Sequence, residues 1–235
     1  MAYDAYEAFP DGLVFHAVEL EPVPGSIVRG GARATGLLSD RVRFGGPQVT
    51  AIDERYRTDD EDLQAFLANS SETRFVLALM AVDFLPSEGP ALASANVAVM
   101  LQDGGEPSKA IAHSVSPIEA GSPFEVSSGY TIDSSLKIGT VGLGASGKGG
   151  SVEHGQRIFV RGGGEFSATP SWTFTPTTTH KLEGSTRMSI VIAIPRQRTG
   201  TMSVTIEAAV AEGRFRKRRV PLQGGLTVDP GNVQF

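Results

Sequence analysis

Downstream of Ser71 the side chains alternate. Val97, Val99 and Leu101 fall on one side of an extended segment, Asn96, Ala98, Met100 and Gln102 on the other, and Val204, Ile206 and Ala208 repeat the pattern. Residues 75–84 and 190–194 are instead almost continuously apolar, as strands buried on both faces are, which puts them at the centre of the structure. The pattern predicts strands over residues 74–84, 92–102, 109–117, 124–145, 156–168, 171–175, 187–194, 202–211 and 214–222. Between them lie Pro-Ser-Glu-Gly, Asp-Gly-Gly, Ala-Gly-Ser-Pro, Gly-Lys-Gly-Gly and Arg-Thr-Gly-Thr, which supply the fixed or positive φ of tight reversals. Short reversals make successive strands antiparallel. The predicted fold is mainly β: an antiparallel β-sandwich over 71–235, with a long Gly/Ser/Thr-rich hairpin at 124–168.

The first 70 residues read differently. Residues 13–20 alternate with one phase slip before Pro22 and Pro24 interrupt the ladder, and the short segments 26–29, 32–38 and 48–52 are set apart by Gly-Gly and Gly-Gly-Pro. An extended N-terminal region of short strands is expected over 1–70, carrying one helix near 58–69. Thr58 and Glu61 have capping-box spacing, Asp59, Asp60 and Asp62 complement the positive end of the helix dipole, and Leu63, Phe66 and Leu67 form an apolar stripe that ends near Asn69. The acidic run is thus accounted for by the helix start and not by a metal site.

Composition narrows the functional classes. The 235 residues are 40% apolar and 20% charged, with 28 Gly and 14 Pro, a globular balance rich in turns. A net charge of −5 gives no general attraction to nucleic acid or an anionic membrane, so nucleic acid is not an expected partner. With no cysteine, disulfides and thiolate chemistry are excluded. Residues 1–15 carry Asp4, Glu7 and Asp11 and lack the basic and apolar parts of a secretory leader, so a cytoplasmic location is expected; no apolar window is long enough for a spanning helix.

The candidate motifs each fall short of a site. Gly142 and Gly147-Lys148 have phosphate-loop spacing, but Gly149 stands where a magnesium-binding hydroxyl is needed and no helix follows. Gly142, Gly144 and Gly147 match a dinucleotide fingerprint without the βαβ pattern around it. His16, His113, His154 and His180 are too scattered for a local metal motif, and no nucleophile elbow is present. No catalytic, cofactor-binding or metal-binding residue is therefore assigned, no cofactor or small-molecule substrate is expected, and the chain is not read as an enzyme.

Two clusters remain. Arg214, Arg216, Lys217, Arg218 and Arg219, together with Lys148 in the glycine-rich loop, are candidate contacts for an anion or a membrane, although edge strands also carry such charges to deter sheet-to-sheet aggregation. Trp172 and Phe174, two residues apart and so on one face, are candidate core anchors. The expected function is a non-catalytic interaction or assembly module that binds a protein partner or itself. The alternatives are a membrane-active pore former using the 124–168 hairpin, and a small-ligand binder or enzyme whose site forms only in space.

Overall fold

The computed structural model describes residues 13–23, 41–52, 61–86, 91–105, 107–120, 137–138, 141–142, 159–177, 181–212 and 218–226. Its first elements are β1 (Phe15–Val18), β2 (Glu21–Pro22), β3 (Val42–Ala51), α1 (Glu61–Asn69), β4 (Thr73–Phe84), β5 (Leu92–Gln102), β6 (Ile111–Ser116) and β7 (Glu119–Ala120). There follow β8 (Lys137–Ile138), β9 (Val141–Gly142), β10 (Val160–Gly163), β11 (Ser171–Phe174), β12 (Gly184–Pro195), β13 (Thr201–Glu212) and β14 (Arg218–Leu226). They form a five-stranded sheet in the order β1-β3-β4-β12-β6 and a seven-stranded sheet in the order β2-β14-β13-β5-β11-β10-β7, with β8 and β9 as a separate pair. Every recorded strand pairing is antiparallel, so the mainly β, two-sheet architecture read from the alternation holds.

The inward residues of the two sheets share one core. Phe44, Val76, Met80, Val82, Phe84, Ile190 and Ile192 come from the five-stranded sheet; Val97, Val99, Leu101, Trp172, Phe174, Val204 and Ile206 come from the other. The Phe84 and Phe174 rings meet edge to face at 5.1 Å across the layers, a geometry in which one ring's positive rim addresses the other's negative face.

The continuous apolar run of β4 has a second reason. Its other face, Phe75, Leu77 and Leu79, joins Ile52, Val191 and Ala193 in a separate cluster on which Phe66 and Leu67 of α1 pack. The chain leaves α1 through a turn in which the Ser70 amide donates to the Phe66 carbonyl and Thr73 to Ser70, and it then runs straight into β4. So short a link folds the helical stripe back over the strand it precedes, giving a helix, sheet, sheet order of layers.

Both edges of the sandwich are corners. β1 ends one sheet and β2 the other, joined only through Glu19 and the buried Leu20; β6 and β7 stand in the same relation at the opposite edge, joined through Pro117 and Ile118. A further tie fastens the β10–β11 turn to β6: the Ala112 amide donates to the Ser167 carbonyl at 2.8 Å, and the Phe166 amide to the Ala112 carbonyl at 2.6 Å.

Three boundaries differ from expectation. The Gly-Gly-Pro taken to separate segments lies inside β3: pairing with β4 shifts register between Gly45 and Gln48, and Gly46 has φ 88°, so the motif is a bulge within one strand. The predicted strand 156–168 stops at Gly163, because Gly164 (φ 92°) and Phe166 (φ 58°) take left-handed conformations. Residues 124–145 are not one strand, since the chain reverses between Ile138 and Val141, with Lys137 opposite Gly142. The segments 26–29 and 32–38 and the Thr58 cap lie outside the described residues.

Candidate functional site

Alternation on β5, β11 and β13 sends one set of side chains inward and leaves the other facing outward. The outward set comprises Ser94, Asn96, Ala98, Met100 and Gln102 on β5, Ser171 and Thr173 on β11, and Thr201, Ser203, Thr205, Glu207 and Ala209 on β13. Among these Glu207 is the one ionisable group. Thr173, Asn96 and Glu207 stand in register across the three strands, and the Thr173 hydroxyl donates to Asn96 Oδ1 at 3.3 Å. A groove of about 300 Å³ is lined by this row together with Val23, Ser94 and Ala209. The row offers an amide, hydroxyls and one carboxylate: groups suited to hydrogen-bonding a partner, without a nucleophile and base in contact.

The second concentration of chemistry lies at the edge strand β6. Val191 faces Ser114 and Ile192 faces Ala112, so His113 is the extra residue of a β-bulge, a device that re-aims a side chain. Its imidazole meets Phe75 of β4 at 5.3 Å, Phe166 of the β10–β11 turn at 5.6 Å and Phe66 of α1 at 6.1 Å. Burial among these rings lowers the His113 pKa from its ordinary value, a shift partly offset by the negative charge of Glu165. Glu165 in turn accepts the Ser114 hydroxyl at 3.2 Å. Ser114 is itself buried, so the hydroxyl is committed to the fold and not presented to solvent as a nucleophile.

Of the residues singled out in the sequence, Trp172 and Phe174 are both buried in the shared core, and the Trp172 indole N–H has no hydrogen-bond partner among the described residues. Arg218 and Arg219 stand opposite Glu212 and Ala211 on β13; on the other side of β14, β2 pairs with Leu222 and Gln223. Lys148, Arg214, Arg216, Lys217, His154 and His180 lie outside the described residues, whereas His16 is on β1, where the structure brings it to neither site described above. Among the described residues, no three of His, Asp and Glu gather as a metal would require, and no helix is long and apolar enough to cross a membrane.

The His113 cluster was missed because nothing local announces it: its aromatic partners come from two distant stretches of chain, Phe66 and Phe75 from one and Phe166 from the other. The neutral outer face was there to be read, since the alternation on β5 and β13 already separated Asn96, Ala98 and Thr205 from Val97, Val99 and Val204. Comparisons of the chain with protein-family models, with curated proteins and with solved structures return no match.

Proposed function

We propose that the protein is a non-catalytic interaction or assembly module that engages a protein partner, or another copy of itself, through the outer face of the seven-stranded sheet. One observation carries this reading: on β5, β11 and β13 the outward positions are neutral, Glu207 excepted, and all but Glu207, Met100 and Gln102 are short, in a chain of which 20% is charged. Association must strip water from whatever it covers, and removing water from charges costs far more than removing it from alanine, serine or threonine. Short side chains also lose little rotamer freedom when a partner orders them, unlike the lysines and glutamates of an ordinary solvated face. The row of Asn96, Thr173 and Glu207 supplies directional hydrogen bonds that set orientation.

Ala98 and Thr205, neighbours on adjacent strands, test the reading. Placing arginine at Ala98 inserts a charge in the middle of the face while leaving the inward core untouched. The expected result is an unchanged melting temperature, with loss of the native protein's assembly or of its bound partner as read by native mass and cross-linking. A wild-type chain that stays monomeric at high concentration, and whose β5 and β13 amides exchange identically alone and in cell extract, overturns the proposal.

A further inference from the structure

We infer that the row of Thr173, Asn96 and Glu207 on the outer face of the seven-stranded sheet is a seat for an arginine side chain carried by a different protein. This rests on the reading of that face as a binding surface and names what the partner brings to it.

Glu207 is exposed and is the one charge among the outward positions of β5, β11 and β13. Its neighbours in register are neutral: Asn96 stands opposite it on β5 and Gln223 on β14, and Thr205 and Ala209 are the next same-face positions along β13. Among the described residues no ion pair takes in Glu207. Arg219 stands opposite Ala211, four residues along β13 and so about 13 Å from the Glu207 position, and Arg218 is opposite Glu212, farther still. The carboxylate is thus solvated by water and paired with nothing in its own sheet.

A partner that covers the face removes that water. A carboxylate buried without a counter-charge costs far more than a buried hydroxyl or amide, which can keep a hydrogen bond, so the covering surface must bring a cation to this point. A second copy laid face to face through β5, β11 and β13 brings none, because no Lys, Arg or His stands at an outward position on these strands. Such a pairing is self-complementary and would set Glu207 against a neutral side chain or against the other Glu207, where like charges repel. The cation therefore belongs to a different surface.

The row favours a guanidinium over an ammonium. Its acceptors, the Glu207 carboxylate, Asn96 Oδ1 and the Thr173 hydroxyl oxygen, sit on adjacent strands about 4.8 Å apart. The Thr173 hydroxyl donates to Asn96 Oδ1 at 3.3 Å, which leaves that oxygen a second lone pair. A planar fork of five N–H donors can give two bonds to the carboxylate and a third to the amide oxygen beside it, whereas an ammonium acts as a point charge. The groove of about 300 Å³ is also lined by Val23, Ala95, Ala208 and Ala209, apolar groups along which the methylene stem of an arginine lies.

NMR titration of the full, isotope-labelled chain reads the seat directly, with three capped tripeptides as probes: Ala-Arg-Ala, Ala-Lys-Ala and Ala-citrulline-Ala, the last keeping the shape and losing the charge. Saturable shifts are expected at the amides of Asn96, Thr173 and Glu207 with the arginine peptide, weakening with added salt. Binding of the citrulline peptide is expected to be weaker by about tenfold, with lysine between the two. In Glu207→Gln, an exposed substitution that preserves shape, the preference for arginine over citrulline should vanish. The inference is overturned if millimolar arginine peptide gives no saturable shift at this row, if citrulline binds equally well, or if the preference survives in Glu207→Gln. Native mass separates this from the broader reading. Assembly lost in Ala98→Arg but kept in Glu207→Gln leaves the face as the binding surface and removes the arginine seat. An oligomer of the chain alone that needs Glu207 overturns the assignment to a different protein, because a second copy then supplies the cation.

Discussion

Arg198, in the turn after β12, places Nη1 3.0 Å from Oδ2 of Asp103, the residue that follows β5. The same carboxylate accepts the amides of Gly105 at 3.0 Å and Lys109 at 3.1 Å, and its side chain is 0% exposed. Two turns at one end of the sandwich are thus tied by a single buried anion. Burial by itself would raise the Asp103 pKa, but the two amides and the Arg198 guanidinium outweigh it and hold the carboxyl below the ordinary carboxylate range.

Removing the Asp103 carboxylate by substitution with alanine is expected to cost about 3 kcal/mol, because it orphans two amides and a guanidinium together. Asp103→Asn keeps the shape and removes the charge. Since the folded pKa is depressed, the stabilisation is fully present above the unfolded value of about 3.9 and is lost as pH falls through the folded one. Urea unfolding from pH 7 to 2 should show this acid loss in the wild type, and a shallower one in Asp103→Asn.

Adjacent glycines on β10 should respond in opposite ways. A Cβ on Gly162 would overlap the Pro117 carbonyl oxygen and sit 2.9 Å from Trp172 Nε1, whereas one on Gly163 meets nothing within 4 Å. Gly162→Ala is therefore expected to destabilise by about 1–3 kcal/mol through overpacking, and Gly163→Ala to change little. Paired thermal melts check the contrast, and equal effects would mean that the corner at Pro117 yields easily.

The two aromatic contacts on either side of β4 should separate global from local stability. Phe174→Ala empties a site at the middle of the shared core and is expected to cost about 3–5 kcal/mol. Phe66 is only partly buried, with its ring 5.4 Å from Phe75, so Phe66→Ala should cost less and act mainly by loosening α1. Hydrogen exchange would then show lost protection in α1 with β12 unchanged.

How much of this was legible depended on whether the deciding contacts were local. Alternation at Val97, Val99 and Leu101, and the unbroken apolar run from Phe75, reported burial directly, since each side chain's face is set by its own position along the strand. The helical stripe of Phe66 and Leu67 and the doubly buried β4 were both visible, but not that each covers the other. Gly45-Gly46-Pro47 misled because the same residues suit a turn and a bulge, and only the partner strand β4 decides between them. His113 was invisible as a site for a related reason: a bulge is a property of two strands in register, and β12 lies far along the chain from β6.

The short ladder between Glu21–Pro22 and Leu222–Gln223 has a bearing on how the molecule is made. The strand that completes one sheet edge is made before every other described strand of its sheet, yet its pairing partner is the last described segment to be synthesised. Until then β2 has no seat and the layers stay open on that side, so shortening the chain before residue 222 should leave most of the strands able to pair while removing the final lock.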